Sequence, residues 1–223
     1  MKVFKYNSYE QYIACQKEHE RTKERTKGRP FDMYIQKIKD NFGESVKKIL
    51  CVGSRDISEV LAFREAGYEA IGIDLFSEDE SIIKILDMNS LGLNFEEDQF
   101  DLVFSCHSFE HTPYPALLFQ SFLKVSKFGC FMVLPFHFDP HHKDPLVLNF
   151  MNYGQLEGEG VTEHLIEFDF NELLKTQLIV NNDQQISWKK DKRCKVTDLD
   201  IFPLKPKRDD GYWISFEWLN MGE

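Results

Sequence analysis

The chain is short of several things, and each shortage removes a class of protein. No apolar run approaches the roughly 18–20 residues of a membrane-spanning helix, and the opening MKVFKYNSYEQ has no signal-peptide core. Cysteine is scattered: Cys15, Cys51, Cys106, Cys130 and Cys194 are odd in number and form no C-x-x-C pair. Three of them fall in apolar, strand-like runs, which predicts buried free thiols in a reducing, cytoplasmic setting. Positive charge is also short. Lys and Arg number 27 against 37 Asp and Glu, a formal net charge of −10, which argues against broad binding to nucleic-acid phosphates. There is no internal repeat and no low-complexity tract. Also missing is the dinucleotide fingerprint G-x-G-x-x-G, because Gly53 is followed by Ser54, Arg55 and Asp56. A pyrophosphate needs close backbone approach, which the side chains of Arg55 and Asp56 hinder, and the Asp56 carboxylate would repel it.

What is present is enough apolar material for a full core: 223 residues, 42% hydrophobic, with 20 Phe. The chain is organised around Lys47–Leu75, KKILCVGSRDISEVLAFREAGYEAIGIDL. Lys47–Val52 reads as a strand that Gly53 stops. Asp56-x-x-Glu59 resembles a capping box opening a helix, with Ile57, Val60 and Leu61 on one apolar face. Gly67 suits the left-handed end of that helix. Tyr68–Ile73 is a second strand, and Asp74 stands at its tip. In an open parallel sheet ligands sit beyond the carboxyl ends of the strands. A carboxylate there accepts from both ribose hydroxyls of a nucleoside, so this unit predicts a nucleoside cofactor without a phosphate bridge.

Residues 1–46 read as amphipathic helices. Tyr9, Tyr12 and Ile13 form one stripe; after Pro30 a second stripe holds Phe31, Tyr34, Ile35, Ile38 and Phe42. The segment is either a solvated helix leading to a packing helix before the domain at 47–223 or, by analogy with the family that the motifs below resemble, a lid over the cofactor. Ile82–Leu86 is a third strand ending at Asp87-Met88, followed by the polar loop NSLGLNFEEDQ. Phe100–Cys106 is the fourth strand, after the turn residue Asp98. Thr112 and Pro113 resemble the N-cap and first position of a helix with Leu118, Phe122 and Val125 buried. Gly129 is expected to end it, with Cys130–Leu134 the fifth strand. Residues 144–163 read as a substrate-side insertion, Glu163–Thr176 as a helix, and Gln177–Trp188, Val196–Leu204 and Tyr212–Leu219 as strands. Tyr212–Leu219 suits an antiparallel edge. The basic stretch at 189–208 is either a solvated hairpin or a docking patch for an anion.

The succession ILCVGS, GIDL, ILDMNSLGLNFEEDQFDLVFSCHSFEH and GCFMVLPF resembles the class I S-adenosylmethionine-dependent methyltransferases, the small "type 11" group in particular. The resemblance covers about Lys47 to Phe138. It departs from the family in the first motif, where Cys51 stands in the place of an acid and Gly53 is the only glycine. It implies a Rossmann-like, doubly wound α/β fold, a seven-stranded mostly parallel sheet whose last strand is antiparallel. It implies S-adenosylmethionine as cofactor: Val52, Gly53 and Ser54 along the methionine moiety, Asp74 and Leu75 at the ribose, Asp87 and Met88 at the adenine, and Cys106 and His107 facing the sulfonium.

Five of the seven histidines fall in two short segments: His107 and His111 after the fourth strand, and His137, His141 and His142 after the fifth. Adjacent central strands open onto one crevice. His107, His111 and His137 are therefore candidate bases, since imidazole titrates near neutrality. The spacing His107-x-x-Glu110-His111 with a distal His137 is also similar to the divalent-metal sets of two methyltransferase groups, those of the ubiquinone pathway and of small-RNA 3′ ends. With His107 replacing an acid, a softer ion such as Zn²⁺, Mn²⁺ or Fe²⁺ would be favoured over Mg²⁺. A purely structural role is the third reading. The expected activity is methyl transfer to a small molecule, at oxygen. The alternatives are a metal-assisted RNA 2′-O-methyltransferase and a non-catalytic nucleoside-binding or scaffold protein.

Overall fold

The computed structural model describes residues 2–3, 8–22, 31–54, 56–112, 114–135, 166–167, 192–205 and 208–220. Five parallel strands form the centre: β1 (Lys48–Val52), β2 (Glu69–Asp74), β3 (Ile83–Ile85), β4 (Phe100–Cys106) and β5 (Ser126–Pro135). With β6 (Lys192–Lys205) and β7 (Arg208–Asn220) the sheet runs in the order β3-β2-β1-β4-β5-β7-β6. β7 is antiparallel to both β5 and β6. The order reverses between β1 and β4, so a crevice opens beyond their carboxyl ends, the usual ligand position in an α/β sheet.

Alternation along the strands builds two cores. Ile49, Cys51, Leu102, Phe104, Phe131 and Val133 point to one face. There they meet helix α2 (Phe31–Phe42) through Tyr34, Ile35 and Ile38, and helix α3 (Ile57–Glu65) through Val60 and Phe63. Phe104 lies parallel to Phe131 (6.0 Å, 12°) and edge-on to Phe63 (4.9 Å), arrangements in which ring edges and faces attract. The other face carries Leu50, Val52, Ile73, Val103 and Met132 against helix α5 (Pro115–Val125), whose Leu118, Phe122 and Val125 are fully buried. Helix α1 (Tyr9–Thr22) joins this second core through Tyr12. The two N-terminal helices thus serve opposite faces of one sheet.

Several local expectations shift. Helix α5 begins at Pro115, with Tyr114 as its N-cap, because a 3-10 turn at Phe109–His111 comes first and Thr112 turns inward, fully buried. The helix ends at Val125, not at Gly129: the backbone N–H and hydroxyl of Ser126 both donate to the Phe122 carbonyl, and Ser126 already pairs with Phe100. Gly129 lies inside β5, opposite Leu102, where the register slips. The stretch after Met88 is more than a polar loop. It contains a short helix, α4 (Leu91–Asn94), and buries Leu91 and Phe95. Ile166 and Glu167, expected inside a helix, form an antiparallel two-residue ladder with Val3 and Lys2. Residues 144–163, the strand expected at 177–188, and His141 and His142 lie outside the described residues.

No helix among the described residues is long and apolar enough to cross a membrane.

Candidate active site

The tip of β1 is a turn that only glycine fits well. Gly53 has φ +73°, and a Cβ placed there would come 2.2 Å from the Ser108 Cβ. The N–H groups of Gly53 and Ser54 both donate to the Ile73 carbonyl, at 2.9 and 3.1 Å, which pins the turn to β2. Ser54 is fully buried, its hydroxyl 3.0 Å from the Cys51 carbonyl and 2.9 Å from Glu59 Oε1. Asp56 caps α3 by accepting from the Ser58 N–H at 2.8 Å. Glu59, expected to complete a capping box, instead lies beneath the turn, buried, holding Ser54. Burial above all, and then the Glu59 charge, push the Cys51 thiol well up from its ordinary range, so it stays neutral at physiological pH. Arg55 lies outside the described residues.

Two carboxylates stand at the neighbouring tips. Asp74 closes β2, half-buried, and its Oδ1 accepts from the Phe76 N–H at 3.3 Å; Leu75 beside it is likewise half-buried. Asp87 follows β3 and caps the 3-10 turn Met88–Ser90, its Oδ1 accepting from both Asn89 N and Asn89 Nδ2 at 2.9 Å. Met88 is half-buried and packs against the α5-side core. Carboxylate acceptors on adjacent strand ends, a soft side chain next to one of them and a side-chain-free turn between β1 and β2 fit a nucleoside with an extended tail.

The tip of β4 is the most constrained. Cys106 is buried in the same core as Cys51, which leaves its backbone at the site edge. His107 follows with φ +53°, a left-handed conformation uncommon for a side chain of its size. Its N–H donates to the Val133 carbonyl at 2.9 Å, and its side chain is half-buried. Ser108 donates its hydroxyl to the Val52 carbonyl at 2.8 Å, so the contact of 2.6 Å with Ser105 has Ser105 donating to Ser108. These hydroxyls tie the ends of β1 and β4 together. His111 closes the 3-10 turn, and its ring stacks on Tyr12 of α1 (6.4 Å between centroids, 26°). Thr112 donates to Asn89 Oδ1 and accepts from the Tyr114 N–H at 3.0 Å.

Val52, Gly53, Ser54, Asp74, Leu75, Asp87, Met88, Cys106, His107 and His111 therefore all fall at the carboxyl ends of the parallel strands. His137 and the side chain of Glu110 lie outside the described residues. Among the described residues no three His, Cys, Asp or Glu side chains gather to hold a metal ion. Sequence reasoning missed Ser108, Asn89, Thr112 and the inward turn of Glu59. Only Gly53 signalled Ser108, by requiring something close to its α-carbon.

Residues 50–134 match the family model described as a methyltransferase domain. No curated protein matches the chain in sequence. Among solved structures, the chain is similar to the Burkholderia thailandensis 1,6-didemethyltoxoflavin-N1-methyltransferase with bound 1,6-didemethyltoxoflavin and S-adenosylhomocysteine. That likeness has a TM-score of 0.64 at 12% identity, over 97% of this chain and 92% of that one. An S-adenosylmethionine-dependent methyltransferase structure from Listeria monocytogenes aligns with TM-score 0.52 at 11% identity, over 83% and 97% of the two chains. The N-terminal domain of EvdMO1, in the presence of S-adenosylhomocysteine and D-fucose, gives 0.51 at 12% identity, over 87% and 84%. Residues 50–134 are thus a methyltransferase domain, carried on a fold shared with S-adenosylmethionine-dependent methyltransferase structures.

Proposed function

We propose that the protein transfers a methyl group to an oxygen of a small molecule. The observation that carries this reading is the pair of half-buried carboxylates, Asp74 and Asp87, on adjacent strand tips beside the Gly53 turn. In this reading Val52, Gly53 and Ser54 line the methionine tail. Asp74, with Leu75 beside it, accepts from the ribose hydroxyls, and Asp87 accepts from the adenine amino group while Met88 lies against the ring. The backbone at Cys106 and His107 faces the sulfonium, which supplies an electrophilic methyl when the cofactor is bound. The chain's own task is then to align an acceptor in line with that methyl and to remove its proton. His107, His111 and His137 are the candidate bases for that proton. Support for a small acceptor comes from the net charge of −10 and from neighbours whose structures hold 1,6-didemethyltoxoflavin or were determined with D-fucose.

Transfer to nitrogen is the second reading, favoured by the N1-methyltransferase among those neighbours. The test is transfer of a labelled methyl from S-adenosylmethionine to a panel of hydroxylated small molecules, N-heterocycles and RNA. Product spectra that place the label on oxygen support the proposal. Label on nitrogen supports the second reading, and label in RNA alone overturns the small-molecule assignment. A chelator added to the same assay separates a histidine base, which is indifferent to it, from a divalent ion held by His107, Glu110, His111 and His137.

A further inference from the structure

Two loops meet at one side chain. Asn89 presents its amide nitrogen to Asp87 Oδ1 at 2.9 Å and its amide oxygen to the Thr112 hydroxyl. The carboxylate on one side accepts only, so the –NH₂ group must face it, and the oxygen is left for Thr112. Thr112 is fully buried, and its oxygen in turn accepts from the N–H of Tyr114, the N-cap of α5. The result is a directional chain, Asp87–Asn89–Thr112–Tyr114, that joins the ends of β3 and β4, strands separated in the sheet by β2 and β1. No side chain but an amide of this length donates on one side and accepts on the other here. Aspartate would set carboxylate against carboxylate, and an aliphatic residue would remove both side-chain contacts, leaving Asp87 Oδ1 the backbone N–H at position 89.

We propose that Asn89 is a positioning residue that couples the loop meeting the adenine to the loop presenting His111. This rests on the reading of Asp87 as an adenine contact. Ordering of Asp87 by a bound adenosine fixes Asn89, which fixes Thr112 and with it the turn Phe109–His111, so the acceptor side is set once the cofactor is seated. The coupling runs both ways, because linkage between two binding sites is reciprocal.

The test is calorimetric titration of S-adenosylhomocysteine into wild type, Thr112→Val, Thr112→Ser, Asn89→Ser and Asn89→Asp. The NMR signals of the His111 ring are followed in the same samples. Thr112→Val keeps the shape but removes both the donor to the Asn89 oxygen and the acceptor of the Tyr114 N–H; affinity should fall about fivefold to tenfold, the worth of about one hydrogen bond passed on to the cofactor side, and the response of the His111 signals to ligand should shrink. Thr112→Ser should restore both to within about twofold, since it keeps the hydroxyl. Asn89→Asp should lose the most, at least about tenfold, from facing like charges. Should Thr112→Val not fold, Asn89→Ser carries the same expectation. Lower thermal stability with unchanged affinity and an unchanged His111 response would overturn the coupling and leave a structural tie. Absence of binding to the wild type at millimolar ligand would instead overturn the methyltransferase reading, and this inference with it.

Discussion

The two ends of the parallel sheet are built from the same strands and treated in opposite ways. At the amino ends, the Asp101 carboxylate accepts from the backbone N–H of both Lys47 and Lys48, at 2.7 and 2.8 Å, and locks β1 to β4. Lys48 pairs with Glu69 across to β2 at 3.6 Å and lies over the Phe100 ring. The backbone takes positive φ at both ends, before the strands at Gly43, Gly67 and Asp98 and after them at Gly53 and His107; the carboxyl ends differ in their side chains. Half-buried carboxylates stand at Asp74 and Asp87, and serines and a threonine are drawn inward to hold the turns. Local ties between neighbouring strands suffice at the amino ends. Cross-loop hydroxyl contacts and half-buried carboxylates gather at the end proposed to bind.

Breaking the carboxyl end should cost the most. Gly53→Ala meets both an unfavourable φ and the Ser108 side chain. It should destabilise the protein by about 3 kcal/mol, the sum of a strained backbone and overpacking, and abolish cofactor binding. Urea unfolding with a companion Ser108→Gly variant checks this, because the companion change should recover the packing part alone. At the other end, Asp101→Ala strands two backbone donors and should cost about 2 kcal/mol. Its affinity for S-adenosylhomocysteine should stay within about twofold of wild type, and unequal losses of this kind would confirm that the two ends are separate in role. His107→Val should cost about 1–2 kcal/mol, since a β-branched residue resists positive φ. His107→Asn, which tolerates it, should hold stability to within about 0.5 kcal/mol while slowing methyl transfer if His107 is the base. The smallest effect is chemical: Cys51, Cys106 and Cys130 are buried, and should resist alkylation at neutral pH until the protein is unfolded, as peptide mapping after brief iodoacetamide treatment would show.

The sequence made the strands and their carboxyl tips legible because both rest on local signals. The apolar run Ile49–Val52 stops at Gly53; the stripe Tyr34, Ile35, Ile38 is buried as its helical period requires. Asp98 has the positive φ expected of a turn residue, and Asp74 stands where its strand ends. What was illegible depends on distance in the chain. Glu59 belongs to a capping pattern by spacing, yet the buried hydroxyl of Ser54 offers it a better partner. Thr112 resembles an N-cap, and nothing local reveals Asn89, 23 residues earlier, as its acceptor. Gly129 looks like a helix stop because the register slip opposite Leu102 belongs to a neighbouring strand.

The central claim is that the carboxyl end of the sheet is a cofactor site organised by Asp74. Its most direct test is calorimetric titration of S-adenosylhomocysteine into the wild-type protein and Asp74→Ala. Micromolar binding by the wild type is the expected result. In the variant, affinity should fall at least about tenfold, the loss of a charge-assisted pair of hydrogen bonds, with unfolding temperature nearly unchanged. Equal affinity in the two proteins would contradict the placement of the ribose, and no binding by either at millimolar ligand would contradict the function itself.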